Sequence, residues 1–569
     1  PAVPDTLHDL LLARLDRLGA ARIVAQVGAV LGRRFDRELL QEVAELDARV
    51  LDEGLARLVD AELLHVRGRG ASARYFFKHA LIRDAAYASL LRSARRSLHA
   101  RVARMLEERR PDSVAAAPEV LARHLDAAGD HVAAAASWLR AGALALRAPA
   151  YVEAMAHYEA GLRTLQALPG EAPQTLELDL QLGLGSARMA ALGYAAEATQ
   201  AAYARAEHLS DELEDSARLA PALYGLAVYA CARGDGRRSR ELARRLRRVA
   251  EAAGDTDTAL EADVLLAIFG CLLGEFEDGF AAVDRALAVW DPERHRCHMF
   301  SFGQEPGVAV YTARVFLLAW TGRIDEARQV GADGLRVARG IGHPLSLAYL
   351  LAGVGIAELV AGEPGRVARA GAELRELTIE HDLSMWRVWA DLLCAWARAR
   401  EGDLDGGLAA ARAALEARAD IGFLSLQPYF LAMVAEIALD AGRLDVAESL
   451  LAEARPLTAS SGERIAEPDV ERVTGRLAAA RGDYALAERA FARALDRARV
   501  IGMPSGALHA ARELAELRAA AGCVPEARSL VAAVLDELPD QQATAEVAAA
   551  RALLDRLASG AHSAVTAAA

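Results

Sequence analysis

The sequence predicts a mainly α-helical chain: a right-handed superhelical solenoid of antiparallel helix pairs, preceded by a small head with a β-hairpin. Three observations predict it. A glycine, usually followed by a polar residue, recurs at Gly234, Gly274, Gly322, Gly362, Gly402, Gly442, Gly482 and Gly522, with spacings of 40, 48, 40, 40, 40, 40 and 40 residues. A fixed period in this range marks a repeat array. Hydrophobic residues make up 53% of the 569 residues but aromatic ones only 5%, and an alanine- and leucine-rich core suits closely packed helices, whereas strands favour β-branched and aromatic residues. Finally, the N-terminal segment fits no repeat and places two short strand patterns around a glycine turn.

The head comes first along the chain. Helical patterns cover Thr6–Leu18, Ala21–Leu31, Arg37–Val43 and Ala48–Asp60. Strand patterns follow at Leu63–Val66 and Arg74–Lys78, around the turn Arg67–Gly70. Helices followed by a hairpin predict a winged-helix domain over residues 1–79. Two basic helices, Ala80–Leu91 and Ala94–Arg109, lie in a linker over 80–118.

The array follows over 119–540, with helix pairs from His131 to Leu538. One unit shows its physics. Tyr484, Ala487, Phe491, Ala494, Leu495 and Ala498 fall on one helical stripe. Gly482 suits a left-handed turn after the preceding helix, and Gly502 with Pro504 ends the following one. Asp325, Asp405 and Asp445 each stand three residues after a period glycine, where they cap the next helix or lie in its first turn. The 48-residue spacing places an inserted loop at Asp291–Gly307. Gln541–Leu557 reads as a capping helix within 541–558, and 559–569 as a disordered small-residue tail.

Composition excludes several functions. Lys78 is the only lysine; His79 follows it and no glycine loop precedes it. A P-loop is therefore excluded, as is Schiff-base chemistry anywhere but Lys78. The five cysteines, Cys231, Cys271, Cys297, Cys394 and Cys523, form no C-x-x-C pair and read as reduced, buried and cytosolic. His295, Cys297 and His298 lie in the inserted loop without a set of zinc ligands. His79 and His99 likewise have no partner at ligand spacing. The apolar stretch Leu345–Gly362 contains Glu358 and falls on the repeat period, so it reads as a buried solenoid helix rather than a membrane span. No signal peptide and no initiator methionine are present, which implies a segment of a longer cytoplasmic protein. No hydrolase, zincin or dinucleotide motif occurs. No enzyme activity, metal or cofactor is expected in this chain.

Charge is uneven. The chain carries a net −13, yet Arg74–Arg110 holds ten basic residues against three acidic ones. A contact surface for an acidic partner, a nucleic-acid face and a solvated helix face are the three readings of this segment. Arg233–Val249 holds eight arginines against Asp235 and Glu241 and reads as a second basic helix with a solvated face.

The stretch Phe76–Glu108, FFKHALIRDAAYASLLRSARRSLHARVARMLEE, resembles a junction in large bacterial signalling proteins. In these, a class III adenylate/guanylate cyclase domain precedes a STAND/AAA-type ATPase, a winged helix and tetratricopeptide-like repeats. The opening PDTLHDLLLARLDRL with Ala29–Phe35, and Phe302–Ala327, His343–Gly353, Gln427–Glu436 and Ser460–Asp483 further on, are similar to the same family. Glu305-Pro306 and Glu467-Pro468-Asp469 depart from its usual pattern. The resemblance implies that ATP and magnesium belong to a domain upstream of Pro1. It also implies that Lys78, His79, Arg83, Asp84, Tyr87, Arg92, Arg95, Arg96 and Arg101 are junction or partner contacts. The expectation is a non-catalytic regulatory module. Its array binds a protein, peptide or effector, its head docks on the upstream ATPase domain, and self-association is open. Nucleic acid and membrane are not expected partners. The alternatives are a transcription regulator using the winged helix on DNA, or a pure assembly scaffold.

Overall fold

The computed structural model describes residues 14–68, 73–538 and 544–559. The chain divides into two compact units between Gly183 and Leu184.

The first unit opens with helix Ala21–Leu31, strand β1 (Arg34–Asp36), and helices Arg37–Ala44 and Ala48–Asp60. Strands β2 (Leu64–Arg67) and β3 (Arg74–Phe77) follow, then helices Ala80–Ala88 and Arg92–Arg109. The hairpin is where the sequence places it, but the sheet has a third strand. β1 pairs antiparallel with β3, Phe35 opposite Tyr75, giving the order β1-β3-β2. Three residues are too few to show a period-two pattern; Phe35 holds the strand by packing on Tyr75 and Phe77, each with ring centroids 5.9 Å away.

A single apolar cluster includes Val24, Phe35, Leu40, Leu55 and Phe77 of the head. It continues through Ile82 and Val102 of the two basic helices to Leu121 and Leu125. The basic helices thus bury one face in the head's core, and only their opposite faces carry exposed charge. Residues 6–13 of the first expected helix and residues 69–70 of the expected turn lie outside the described residues.

The first helices of the array, Pro118–Ala128, His131–Arg147 and Tyr151–Gln166, belong to the first unit, and the second unit carries the rest, a tetratricopeptide-like solenoid of helix pairs. All eight period glycines take left-handed φ values, from 70° to 109°, which a residue without Cβ adopts without strain. Three of these turns start the next helix with a capping carboxylate. Asp235, Asp403 and Asp483 accept hydrogen bonds from the backbone N–H of Arg238, Gly406 and Leu486 at 3.0, 3.0 and 2.9 Å. Asp325, Asp405 and Asp445 lie in the first turn of their helices, where negative charge is favoured.

Helices alternate in character. Thr256–Leu272, Pro306–Trp320 and Pro344–Val360 are buried almost all round. Gly236–Ala253 and Ile324–Ile341 bury a single stripe. The cause is a contact between segments distant in sequence. The Leu424 N–H donates to the Ala232 carbonyl at 2.6 Å, and the Arg464 N–H to the Leu272 carbonyl at 3.0 Å. Each pair is 192 residues apart, about four and a half helix pairs along the array. The coil therefore meets itself, and its inner helices lose their open side.

The inserted segment is not an open loop. It forms a 3-10 turn at His295–Cys297 and a short helix at His298–Phe302. The terminal helix runs Ala545–Ser559, and residues 541–543 and the tail from 560 lie outside the described residues. Within Pro344–Val360, Glu358 is ion-paired with Arg328 at 2.9 Å. Among the described residues no helix is long and apolar enough to cross a membrane.

Candidate functional site

The structure spreads the expected junction residues around the head. Lys78 Nζ meets Glu62 Oε2 at 3.0 Å. The Arg83 Nε donates to its neighbour Asp84 at 2.9 Å, and Arg101 pairs with Glu45. Arg95 donates to the Leu90 and Ala88 carbonyls at 2.9 and 3.0 Å and lies 5.1 Å over the Tyr87 ring. Arg96 donates to the Ala128 carbonyl at 3.2 Å. His79 precedes helix Ala80–Ala88 and is exposed, as is Arg92.

Only Tyr87 leads inward. Its hydroxyl is 2.9 Å from His99 Nε2, and His99 Nδ1 is 2.9 Å from His124 Nδ1. Burial pulls the His124 imidazole down to about 4, with His99 and Arg123 adding to it, so this relay is a neutral packing element. Much of the basic charge of this segment is thus met by carboxylates and carbonyls of the first unit, Glu62, Asp84, Glu45 and the Ala128 carbonyl among them. The arginines of Gly236–Ala253 behave alike: Arg245 reaches Asp211 at 3.1 Å, Arg247 reaches Glu251 at 2.9 Å, and Arg240 pairs with Glu275.

The inserted segment's histidines bind carboxylates. His295 Nδ1 accepts from the Asp291 N–H at 2.9 Å, and its Nε2 lies 3.2 Å from Asp257. His298 Nδ1 is 2.7 Å from the buried Glu261. Among the described residues no group of three or more ligands could hold a metal.

The array carries a groove that the sequence reading did not find. It encloses about 630 Å³ between helices Ser384–Arg400, Gln427–Asp440, Glu467–Ala480, Pro504–Ala520 and Ala545–Ser559. Arg472 lies at its centre. Its two terminal nitrogens each meet one oxygen of Glu436 at 2.9 Å, and it reaches Glu513 at 3.1 Å and Asp469 at 3.2 Å. Arg476 donates to Glu436 and Asp440, both at 2.7 Å, and Arg400 to Asp440 at 2.6 Å.

Two buried carboxylates in this network differ in state. Burial alone would raise Glu436, but Arg472, Arg476 and Arg400 outweigh it and hold the carboxyl well below its usual range. For Glu513 burial wins over Arg472 and Arg476, and its pKa is raised. The geometry gives the reason: only Oε1 of Glu513 receives Arg472, and Oε2 has no partner. Across the groove four arginines, Arg400, Arg472, Arg476 and Arg512, face six carboxylates, Glu436, Asp440, Asp469, Glu513, Glu516 and Glu546. Apolar walls stand beside them: Trp320 packs edge-on against Tyr429, centroids 5.0 Å apart. Arg400 lies 5.6 Å over Trp396.

A sequence signal for this groove exists in retrospect. Glu436, Arg476, Glu516 and Arg556 are each 40 residues apart, so they hold one register position on successive inner helices with alternating charge. The structure pairs Glu436 with Arg476 at 2.7 Å and Glu516 with Arg556 at 3.6 Å.

No family model matches the chain. It is 23% identical over 466 residues to an uncharacterized protein of Rhizobium meliloti (strain 1021), covering 80% of this chain and 44% of that protein. The chain thus spans less than half the length of this curated relative. Three solved structures show a partial likeness to this chain. A Rap protein complexed with competence and sporulation factor has a TM-score of 0.47 at 15% identity, covering 64% of this chain and 98% of that one. A signal transduction ATPase with numerous domains (STAND) with a tetratricopeptide repeat sensor, from Pyrococcus horikoshii, has 0.36 at 13%, covering 89% and 66%. The APC/C hetero-tetramer Cut9–Hcn1 has 0.41 at 14%, covering 82% and 93%.

Proposed function

We propose that this chain is a non-catalytic interaction and regulatory module whose array holds a basic segment of a protein or peptide partner in the charged groove. The observation that carries the reading is the uneven charge around Glu513. Six carboxylates face four arginines, and Glu513 Oε2 is buried without a donor. A lysine or arginine side chain of a partner supplies the missing donor. The role of the module is to relay occupancy of the groove to a nucleotide-switch domain of the STAND ATPase type in a longer parent, with a nucleotide cyclase as the parent's output. The helix–strand–helix–helix–hairpin order of the head supports a winged-helix reading. Its core, shared with the two basic helices, gives a rigid surface for docking on that domain. Four arginines of these helices, Arg83, Arg95, Arg96 and Arg101, are held by carboxylates or carbonyls of the first unit, which weighs against a DNA face.

The test is fluorescence anisotropy with two labelled peptides of alternating charge and leucine, one basic and one acidic. The expected result is saturable binding of the basic peptide, weakened about tenfold or more by Glu513→Gln, the cost of one charge-assisted hydrogen bond. Equal binding of both peptides, or an unchanged affinity in Glu513→Gln and in the more exposed Glu516→Gln, refutes the reading.

A further inference from the structure

Three contacts of the coil with itself share one spacing, 192 residues. Tyr194 packs edge-on against Trp386, centroids 6.2 Å apart. The Leu424 N–H donates to the Ala232 carbonyl at 2.6 Å, and the Arg464 N–H to the Leu272 carbonyl at 3.0 Å. Side chains add two weak contacts: Cys231 Sγ lies 3.8 Å from Ser425 Oγ, and Arg233 reaches the Gly422 carbonyl at 3.4 Å. Two of the three contacts are thus made by short loops, 422–426 and 462–466, which lead directly into helices Gln427–Asp440 and Glu467–Ala480.

Glu463 ties the two loops together. It is 1% exposed, and its carboxylate accepts from the Leu426 N–H at 2.9 Å and from the Ser425 hydroxyl at 3.2 Å. The fully buried Arg418 holds the first loop as well, donating to the Ser425 carbonyl and, at 3.0 Å, to Gln427 Oε1. These bonds fix Leu426 at a left-handed φ of 59°, a strained conformation for a residue with a Cβ.

The closed seam leaves polar atoms unmet. The indole nitrogens of Trp386 and Trp389, Gln304 Oε1 and Arg418 Nη1 have no partner in the protein. Each side chain belongs to the seam or touches it. Trp386 packs on Tyr194, and Gln304 donates to the Tyr194 hydroxyl at 2.6 Å. Arg418 lies 5.2 Å over the Trp389 ring. A space of about 90 Å³, lined by Cys231 and Ser425 among others, remains at the same place. Buried polar atoms without partners carry their full desolvation penalty, and an unfilled contact forfeits dispersion. Opening the seam exchanges a few polar contacts for water, whereas parting neighbouring helices exposes their apolar stripes.

We propose that this seam is a latch: loops 422–426 and 462–466 leave Ala232 and Leu272 together while the helix pairs stay folded, with Glu463 holding the two loops as one unit. Such openings are sub-global and cost less than unfolding. Glu436 and Asp440 of the charged groove lie on the helix that follows the first loop; Asp469, Arg472 and Arg476 lie on the helix that follows the second. Opening therefore shifts the ion network against Trp320 and Leu359, which also line the groove. On the reading of that groove as a binding site, its occupant also holds the latch closed.

The test is hydrogen exchange of the whole chain under native conditions, read at the Leu424 and Arg464 amides by electron-transfer fragmentation. Corrected for intrinsic rates, the two should agree within about twofold and exchange about tenfold or more faster than amides inside Gln427–Asp440. Glu463→Gln keeps the shape and removes one accepting oxygen, so it should speed both about fivefold or more. Ser425→Cys should form a disulfide with Cys231 on oxidation, and should then slow Arg464 as well as Leu424 by about tenfold or more, reversibly with reductant. If thiol titration shows no disulfide, Glu463→Gln decides alone. Seam amides no faster than the helix interior overturn the latch. So does an effect of Glu463→Gln, or of the cross-link, that stops at Leu424. A basic peptide at about a hundred times its Kd should slow both amides about tenfold or more. A bound peptide that leaves them unchanged overturns the coupling; a peptide that does not bind refutes the groove reading alone, and the exchange rates still decide the latch.

Discussion

Replacing Arg472 by methionine should destabilise the C-terminal half of the array in a pH-dependent way. Arg472 is buried and bridges three carboxylates, Glu436, Glu513 and Asp469. Methionine fills much of the volume but leaves these groups short of one positive charge. Glu436 keeps Arg476 at 2.7 Å and Arg400 at 3.5 Å, so it stays paired. Glu513 keeps only the more distant Arg476, at 3.8 Å, and the charge of Arg512, and so becomes a poorly compensated buried charge. Breaking a buried pair from one side costs about 3–5 kcal/mol. The sign of the pH effect follows from Glu513. Its folded pKa is already raised by burial against the pull of Arg472 and Arg476, and removing Arg472 raises it further. A carboxyl with a raised folded pKa binds its proton more tightly in the folded state. The penalty is therefore small at acidic pH and grows as pH rises through the raised value. Urea unfolding followed by circular dichroism, at pH 5 and pH 8, measures it. Hydrogen exchange in Gln427–Asp440 and Glu467–Ala480 localises the loss within an array whose repeats need not unfold together. Adding Glu513→Gln should recover about 1 kcal/mol or more at pH 8, since neighbours in one network couple by about 0.5–3 kcal/mol. A cost below about 1 kcal/mol, a cost equal at both pH values, or no recovery in the double variant refutes this account of the network.

Other perturbations test other parts of the fold. A Cβ at Gly225 would stand 2.3 Å from the Tyr203 ring, which is 1% exposed and also abuts Gly185; Gly225→Ala should cost about 1–3 kcal/mol by overpacking, read as a lowered urea midpoint. Asp235→Ala removes the cap on the Arg238 N–H and should cost about 1 kcal/mol, with faster hydrogen exchange confined to the start of Gly236–Ala253. The inserted segment should loosen as pH rises. Burial raises Glu261 to about 7, and the hydrogen bond and charge of Glu261 raise His298 against its own burial. Both groups hold protons more tightly when folded: the contribution of Glu261 is full below the ordinary glutamate range and is lost as pH rises through about 7, and that of His298 is lost as pH rises above the ordinary histidine value. Hydrogen exchange across 291–302, corrected for its intrinsic pH dependence, should accelerate between pH 6 and 8.5, and Glu261→Gln should flatten that rise.

The local features were legible because they depend on neighbours in sequence. The period glycines needed only a left-handed turn, and Asp235, Asp403 and Asp483 cap helices that start beside them. The hairpin at Leu64–Arg67 and Arg74–Phe77 announced itself by its turn, whereas Arg34–Asp36 became a strand only because β3 lies alongside. The basic helices were legible as charged, but their buried faces were not, since Val102 and Leu106 find their partners across the head.

The sequence by itself determined the period of the array, its helix starts and stops, and the absence of a P-loop. Capping, glycine turns and helical stripes act over a few residues. Only the tertiary structure decided where charge is spent and where cavities form. The coil brings Ala232 to Leu424 and Leu272 to Arg464, distances in sequence that no local pattern encodes. It also sets Glu436, Arg472 and Glu513 against one another at about the 40-residue period, so that burial and the number of arginines each carboxylate meets, rather than residue type, fix which one is ionised.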